Sequence, residues 1–221
     1  MAKELYILCE GDRDDVFYET LAERVTSQTF SRMDDQFRVR HGANWKTAMA
    51  AARLLMSRIK HWHGRQEIAV IVAVDNDRSP GHPARQTPAR VLPPFDQKKQ
   101  PRYPELKRII EDALGPDRSQ WPVDVAIAMP VEMVESWVLT LLNPERGELP
   151  LYAEAAQGLA RQYYGSTPQP QLKDLRDQEA AVLSMNQDEL FFHAASCDHA
   201  AAEAVSPSLK MFTDELRQWR S

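Results

Sequence analysis

Ile68-Ala69-Val70-Ile71-Val72-Ala73-Val74-Asp75-Asn76-Asp77 is the stretch from which the fold is read. Seven apolar residues, most of them β-branched, end abruptly in polar ones. A half-exposed strand alternates apolar and polar side chains, so an unbroken apolar run describes a strand covered on both faces. Such a strand belongs inside a sheet with a helical layer on each side. Toward the N-terminus, Leu5-Tyr6-Ile7-Leu8-Cys9 has the same character and stops as sharply, at Glu10-Gly11-Asp12-Arg13-Asp14-Asp15. Toward the C-terminus, Val123 to Ala128 repeats it, and a weaker strand is expected at Phe37 to Val39.

The segments between these strands carry helical spacing. Phe17, Leu21 and Val25 stand four apart, and a helix from about Trp45 to Trp62 presents Met49, Ala52, Leu55, Met56 and Ile59 on one face. A short helix is expected from Glu105 to Leu114, and another from near Glu132, carrying Val134, Trp137, Val138, Leu141 and Leu142. Strand–helix alternation over residues 4–142 predicts an α/β fold with a mainly parallel, Rossmann-like central sheet and flanking helices. The core is expected over residues 1–147. Residues 148–221 are read as a helical C-terminal extension packed on it, broken at Gly165-Ser166-Thr167-Pro168 and at Ser206-Pro207.

Composition narrows the function classes. With 43% hydrophobic and 27% charged residues over 221 positions, the chain is that of an ordinary globular protein. Its longest apolar run, seven residues, is far short of the ~20 that span a bilayer, so no membrane association is expected. Met1-Ala2-Lys3-Glu4 leads straight into a strand with no apolar leader, which predicts a cytoplasmic protein. Two cysteines, Cys9 and Cys197, supply neither a disulfide framework nor a four-cysteine zinc site.

The formal net charge of −5 excludes a uniformly basic binder of nucleic acid but hides a polarised one. From Arg78 to Arg108 stand eight basic residues, namely Arg78, Arg85, Arg90, Lys98, Lys99, Arg102, Lys107 and Arg108. Only Asp96 and Glu105 oppose them, a local excess of six that leaves the rest of the chain at −11. Much of this stretch, residues 79–104, is rich in proline and lacks periodicity. It reads either as a solvated loop or as a phosphate-gripping flap.

In parallel α/β folds, ligands sit beyond the C-terminal ends of the strands. Glu10 follows the first strand, and Asp75 and Asp77 follow the strongest one, so neighbouring strands would project all three carboxylates into one crevice. Clustered carboxylates repel and call for a cation, and all-oxygen ligands suit Mg²⁺ or Mn²⁺. Each acid alone has an ordinary alternative as a turn or cap residue, Asp14 and Asp15 at the first helix included.

The two strand ends together resemble the Toprim domain of topoisomerases, primases and nucleases of the overcoming-lysogenisation-defect (OLD) type. The carrying residues are an apolar strand ending in Glu10-Gly11, with Asp14 three after the glycine, and a later strand ending in Asp75-Asn76-Asp77. Met129-Pro130-Val131-Glu132-Met133-Val134-Glu135-Ser136-Trp137 and Ser206-Pro207-Ser208-Leu209 are similar to segments of small Toprim-like proteins of phage-defence loci. The resemblance covers about residues 3–142. It implies Glu10 as general acid/base or metal ligand, Asp75 and Asp77 as holders of Mg²⁺ (or Mn²⁺), Asp14 as helper for a second ion, and Glu135 as a further ligand. It also implies a nuclease acting on DNA or RNA, tRNA included, in anti-phage defence beside an ABC- or AAA-type ATPase partner, with room for a homo-oligomer. Arg78, Lys98, Lys99, Arg102, Lys107 and Arg108 would hold the nucleic acid.

The chain is too short for a topoisomerase with a separate tyrosine domain, and it lacks the cysteines of a primase zinc domain. Two rivals remain: a catalytically silent Toprim scaffold that binds a partner, and a phosphohydrolase on another doubly wound fold. No P-loop or Gly-x-Gly-x-x-Gly follows the first strand, which weighs against the latter. His193, Cys197, Asp198 and His199 fit no standard zinc spacing and read as a helix junction.

Overall fold

The computed structural model describes residues 2–11, 13–33, 50, 53–54, 56–57, 67–75, 102–115, 121, 123–130, 133–147 and 172–219. Four strands, β1 (Lys3–Leu8), β2 (Phe30–Arg32), β3 (Ile68–Ala73) and β4 (Asp124–Ala128), form one all-parallel sheet in the order β2-β1-β3-β4. β1 and β3 pair over five positions, from Glu4 opposite Ile68 to Leu8 opposite Val72.

Side chains alternate across this sheet as the two-residue period of a strand requires. Leu5, Ala69, Ile71, Ala73, Ala126 and Ala128 face one layer, while Tyr6, Leu8, Val70, Val72, Val125 and Ile127 face the other. All six residues of β3 are buried, which is why its sequence is apolar throughout. The chain leaves β1 in one direction and β3 in the other, so right-handed crossovers put their helices on opposite faces. Accordingly α1 (Asp14–Thr26) packs on the alanine-rich face through Phe17, Tyr18, Leu21 and Ala22. The helix α2 (Arg102–Leu114) covers the other with Ile110, Ala113 and Leu114.

Small residues on one face of the sheet leave room for large ones above it. Trp137, on α3 (Glu135–Leu142), stacks on Phe212 at 5.5 Å, and Tyr18 meets both rings edge-on. Four further helices follow: α4 (Leu172–Leu183), α5 (Gln187–Ser196), α6 (His199–Val205) and α7 (Pro207–Leu216). Leu190, Phe191, Ala202, Leu209, Phe212 and Leu216 from α5, α6 and α7 lie in the same buried cluster as Phe17 and Ile71, so these helices share one core with the sheet. The Trp137 indole N–H donates to Ser208 Oγ at 2.7 Å, a buried bond that fixes α3 against the start of α7. Ser206 caps α7 by accepting from the Leu209 N–H, with Pro207 in the first turn, where its missing N–H costs nothing.

α7 also closes an edge of the sheet. Glu215, buried, accepts from the Ile127 backbone N–H of β4 at 2.7 Å and from Lys107 Nζ at 2.9 Å. A covered edge removes the template that open strands offer for aggregation.

Several elements differ from the sequence reading. β2 lies at Phe30–Arg32, and the expected strand at Phe37 to Val39 falls outside the described residues. α2 begins at Arg102 and not at Glu105, taking Pro104 into its first turn, so the expected 79–104 loop ends before residue 102. α3 begins at Glu135 and not near Glu132. The C-terminal helices break twice more: at Ser184, whose φ of 56° is left-handed, and at Asp198, which caps α6 by accepting from the Ala200 N–H. No helix among the described residues is long and apolar enough to cross a membrane.

Candidate acidic site at the strand ends

The strand order reverses direction between β1 and β3, and the C-terminal ends of these two strands flank the crevice where parallel sheets bind ligands. Glu10 and Asp75 are brought together there: Glu10 Oε1 accepts the Asp75 backbone N–H at 3.1 Å across the gap between the strands. Asp14 and Glu135 join them as the first residues of α1 and α3. Asp14, Asp75 and Glu135 line a cleft of about 370 Å³ together with Arg13, Lys173, Arg176 and Gln187.

The turn into α1 places Asp14. A methyl group on Gly11 would stand 2.5 Å from Asp14 Oδ2, so only glycine lets that carboxylate fold back over the strand end. Asp14 is 9% exposed, and burial together with the nearby Glu135 carboxylate pushes its carboxyl up to about 7. The Gly11 backbone hydrogen bond and the Lys173 ammonium pull the other way without cancelling this. Asp15, its neighbour, turns outward to a different partner, Arg32 Nη2 at 2.8 Å, and belongs to the scaffold.

Glu135 is buried in the same cleft and holds Arg176 Nη1 at 2.6 Å. The same guanidinium reaches Asp177 Oδ1 through Nε and Nη2 at 2.9 and 2.8 Å. Two further groups lie beneath the carboxylates. Burial raises the Tyr18 phenol well above its ordinary value, with Asp14, Asp75, Cys9 and Glu10 adding to the effect. Burial likewise raises the Cys9 thiol, with Asp14, Asp15 and Asp75 adding, and Cys9 Sγ donates to the Gly11 carbonyl at 3.2 Å. A thiol held protonated is a poor nucleophile, so Cys9 is structural.

Of the residues singled out in the sequence, Glu10, Asp14, Asp75 and Glu135 gather at this end of the sheet, and Asp77 lies outside the described residues. Among the basic residues, Arg78, Lys98 and Lys99 also fall outside them, and Arg102 opens α2. Arg108 is exposed on α2, whereas Lys107 is held by Glu215 at 2.9 Å within the scaffold. The cationic residues of the cleft were missed from sequence. Lys173 and Arg176 stand three apart in a helix read only as part of an extension, and Arg13 sits among the acids of the first turn.

Carboxylate oxygens are the donors a hard divalent cation takes, and a buried Asp14 crowded by Glu135 is the kind of group that such an ion would hold ionised. By donor chemistry Glu10, Asp14 and Asp75 fit Mg²⁺ or Mn²⁺. Among the described residues no three His, Cys, Asp or Glu side chains converge closely enough to form a metal site by themselves. No protein-family model, curated protein or solved structure matches the chain.

Proposed function

We propose that this protein is a Toprim-like, divalent-cation-dependent nuclease that hydrolyses phosphodiester bonds of DNA or RNA. The observation that carries the reading is the meeting of Glu10 and Asp75 at the ends of adjacent parallel strands, with Asp14 and Glu135 in the same crevice. Glu10, Asp14, Asp75 and the nearby Asp77 would hold Mg²⁺ or Mn²⁺. Bound there, the ion would neutralise charge on the scissile phosphate and acidify water.

The chain's own residues supply the rest. Glu10, tied to the Asp75 N–H, is fixed in orientation at the end of β1. Asp14, whose carboxyl burial and Glu135 push up to about 7, would be kept ionised by a bound ion and add its charge to that ion's hold. Arg176 neutralises Glu135 and keeps that carboxylate from repelling an anionic substrate. A role in phage defence, with an ATPase of the ABC or AAA type as controlling partner, belongs to the same proposal, as does a cytoplasmic site of action.

A second reading, a silent scaffold that binds a partner, draws on the lack of three converging metal-binding groups among the described residues. One assay separates the two. Purified protein is incubated with DNA, RNA and tRNA in Mg²⁺ or Mn²⁺, with and without an added ATPase of the ABC or AAA type. Glu10→Gln and Asp75→Asn are each expected to lower cleavage by about 100-fold or more. Cleavage that survives both substitutions removes this site, and no cleavage under any condition favours the scaffold.

A further inference from the structure

The cleft lined by the carboxylates is also lined by cationic side chains with chemistry of their own. Lys173 and Arg176 stand three apart on α4 and so share a face, while Arg13 precedes α1 and Gln187 opens α5. All four line the same cleft as the carboxylates. The cleft is also where α1, α3, α4 and α5 each begin: Asp14, Glu135 and Gln187 are first residues of their helices and Lys173 is a second. Helix starts present positive potential, so the backbone reinforces the three cationic side chains.

In number the three cations match the three carboxylates that line the cleft, but they are not all engaged alike. Arg176 already pairs with Glu135 at 2.6 Å, whereas Arg13 and Lys173 are exposed. Among the described residues Arg13 meets the exposed Asp188 at a loose 3.8 Å, and an exposed ion pair of this sort is worth little and exchanges readily for a phosphate. Arg176, itself 11% exposed, also reaches Asp177, whose side chain is 66% exposed. The cleft's 370 Å³ is at the small end of ligand sites, which run to about 1,000 Å³. It can take one nucleotide unit with its phosphate, and a duplex is too broad to enter.

We propose that Arg13, Lys173 and Arg176 form a phosphate-holding subsite for a single polynucleotide strand, supplied largely by the C-terminal helices and lying beside the carboxylates of the same cleft. The cutting step rests on the nuclease reading, but the binding does not. The subsite also differs from the basic segment 78–108 as the source of grip.

Fluorescence anisotropy of the full chain in EDTA, with single-stranded DNA and RNA oligonucleotides and a matched duplex, tests it. Lys173→Met and Arg13→Met alter exposed side chains and leave the fold intact. Each is expected to weaken strand binding about 3- to 10-fold and to lower the slope of log affinity against log salt by about 0.7. Arg176→Met combined with Glu135→Gln, which leaves no buried charge unpaired, is expected to do the same. Wild-type slopes in all three variants, with the loss appearing instead in Lys98→Met/Lys99→Met, would overturn the subsite. So would duplex binding tighter than single-strand binding. Cleavage in Mg²⁺ with unaltered slopes removes the subsite and keeps the nuclease reading. Binding with the expected slopes but no cleavage keeps the subsite and removes the nuclease reading. Failure to bind any oligonucleotide removes it as well.

Discussion

The two ends of the parallel sheet treat buried carboxylates in opposite ways. At the N-terminal end, Asp124 opens β4 and is met by Lys3 Nζ at 2.8 Å, the ammonium reaching past β3 from β1. Both side chains are largely buried, and each offsets the other's charge. At the C-terminal end, Asp14 is buried just as deeply, yet a neighbouring carboxylate dominates its surroundings and the cation facing it, Lys173, only partly compensates. A sheet can bury an acid for structure by giving it a cation of its own. Leaving an acid short of one costs stability, and such a cost is typical of sites that bind or react.

Stability measurements sharpen this contrast. The largest effect is expected at the structural end: Lys3→Met removes the ammonium beside the buried Asp124 and should lower unfolding free energy by about 3–5 kcal/mol, read by urea titration. Asp14→Asn should move the other way. The carboxyl is raised from 3.8 to about 7, and each unit is worth about 1.4 kcal/mol, so the substitution should stabilise by up to about 4 kcal/mol at pH 8.

The pH dependence has a fixed sign. Between about pH 4 and 7 the folded chain holds a proton on Asp14 that the unfolded chain has released, so stability falls as pH rises through that window. Asp14→Asn should flatten this fall, and a destabilised or unchanged variant would erase the difference between the two ends. Millimolar Mg²⁺ should have the smallest effect, raising the Tm of the wild-type chain by about 3–8 °C at pH 7.5. The same ion should shift the Asp14→Asn melt by less than half as much. Equal shifts would mean that the cation binds elsewhere.

Legibility in the sequence followed burial. β1, β3 and β4 were readable because both faces of the sheet are covered, so each carries an unbroken apolar run, Leu5 to Leu8, Ile68 to Ala73 and Val125 to Ala128. Glu10 and Asp75 were readable because each directly follows such a run. β2 was not, since three residues with one buried side chain, Phe30, leave no period to detect. The start of α2 was displaced because Pro104 reads as a loop residue, although the first helical turn accepts proline. The cationic residues of the cleft left the faintest trace of all. Lys173 and Arg176 look like any solvated helix face, and only packing of α4 and α5 against α3 aims them at the carboxylates.

That packing sets an order in time as well as in space. Ribosomes emit Glu10, Asp14 and Asp75 early, but the aromatic cluster that seats α1 and α3 closes only when Phe191, Ser208 and Phe212 have been made. Contacts so distant along the chain delay folding, and a nascent chain carries the acids for many seconds before Lys173 and Arg176 can face them. The cleft is therefore assembled only after the helices that follow residue 172 have been made.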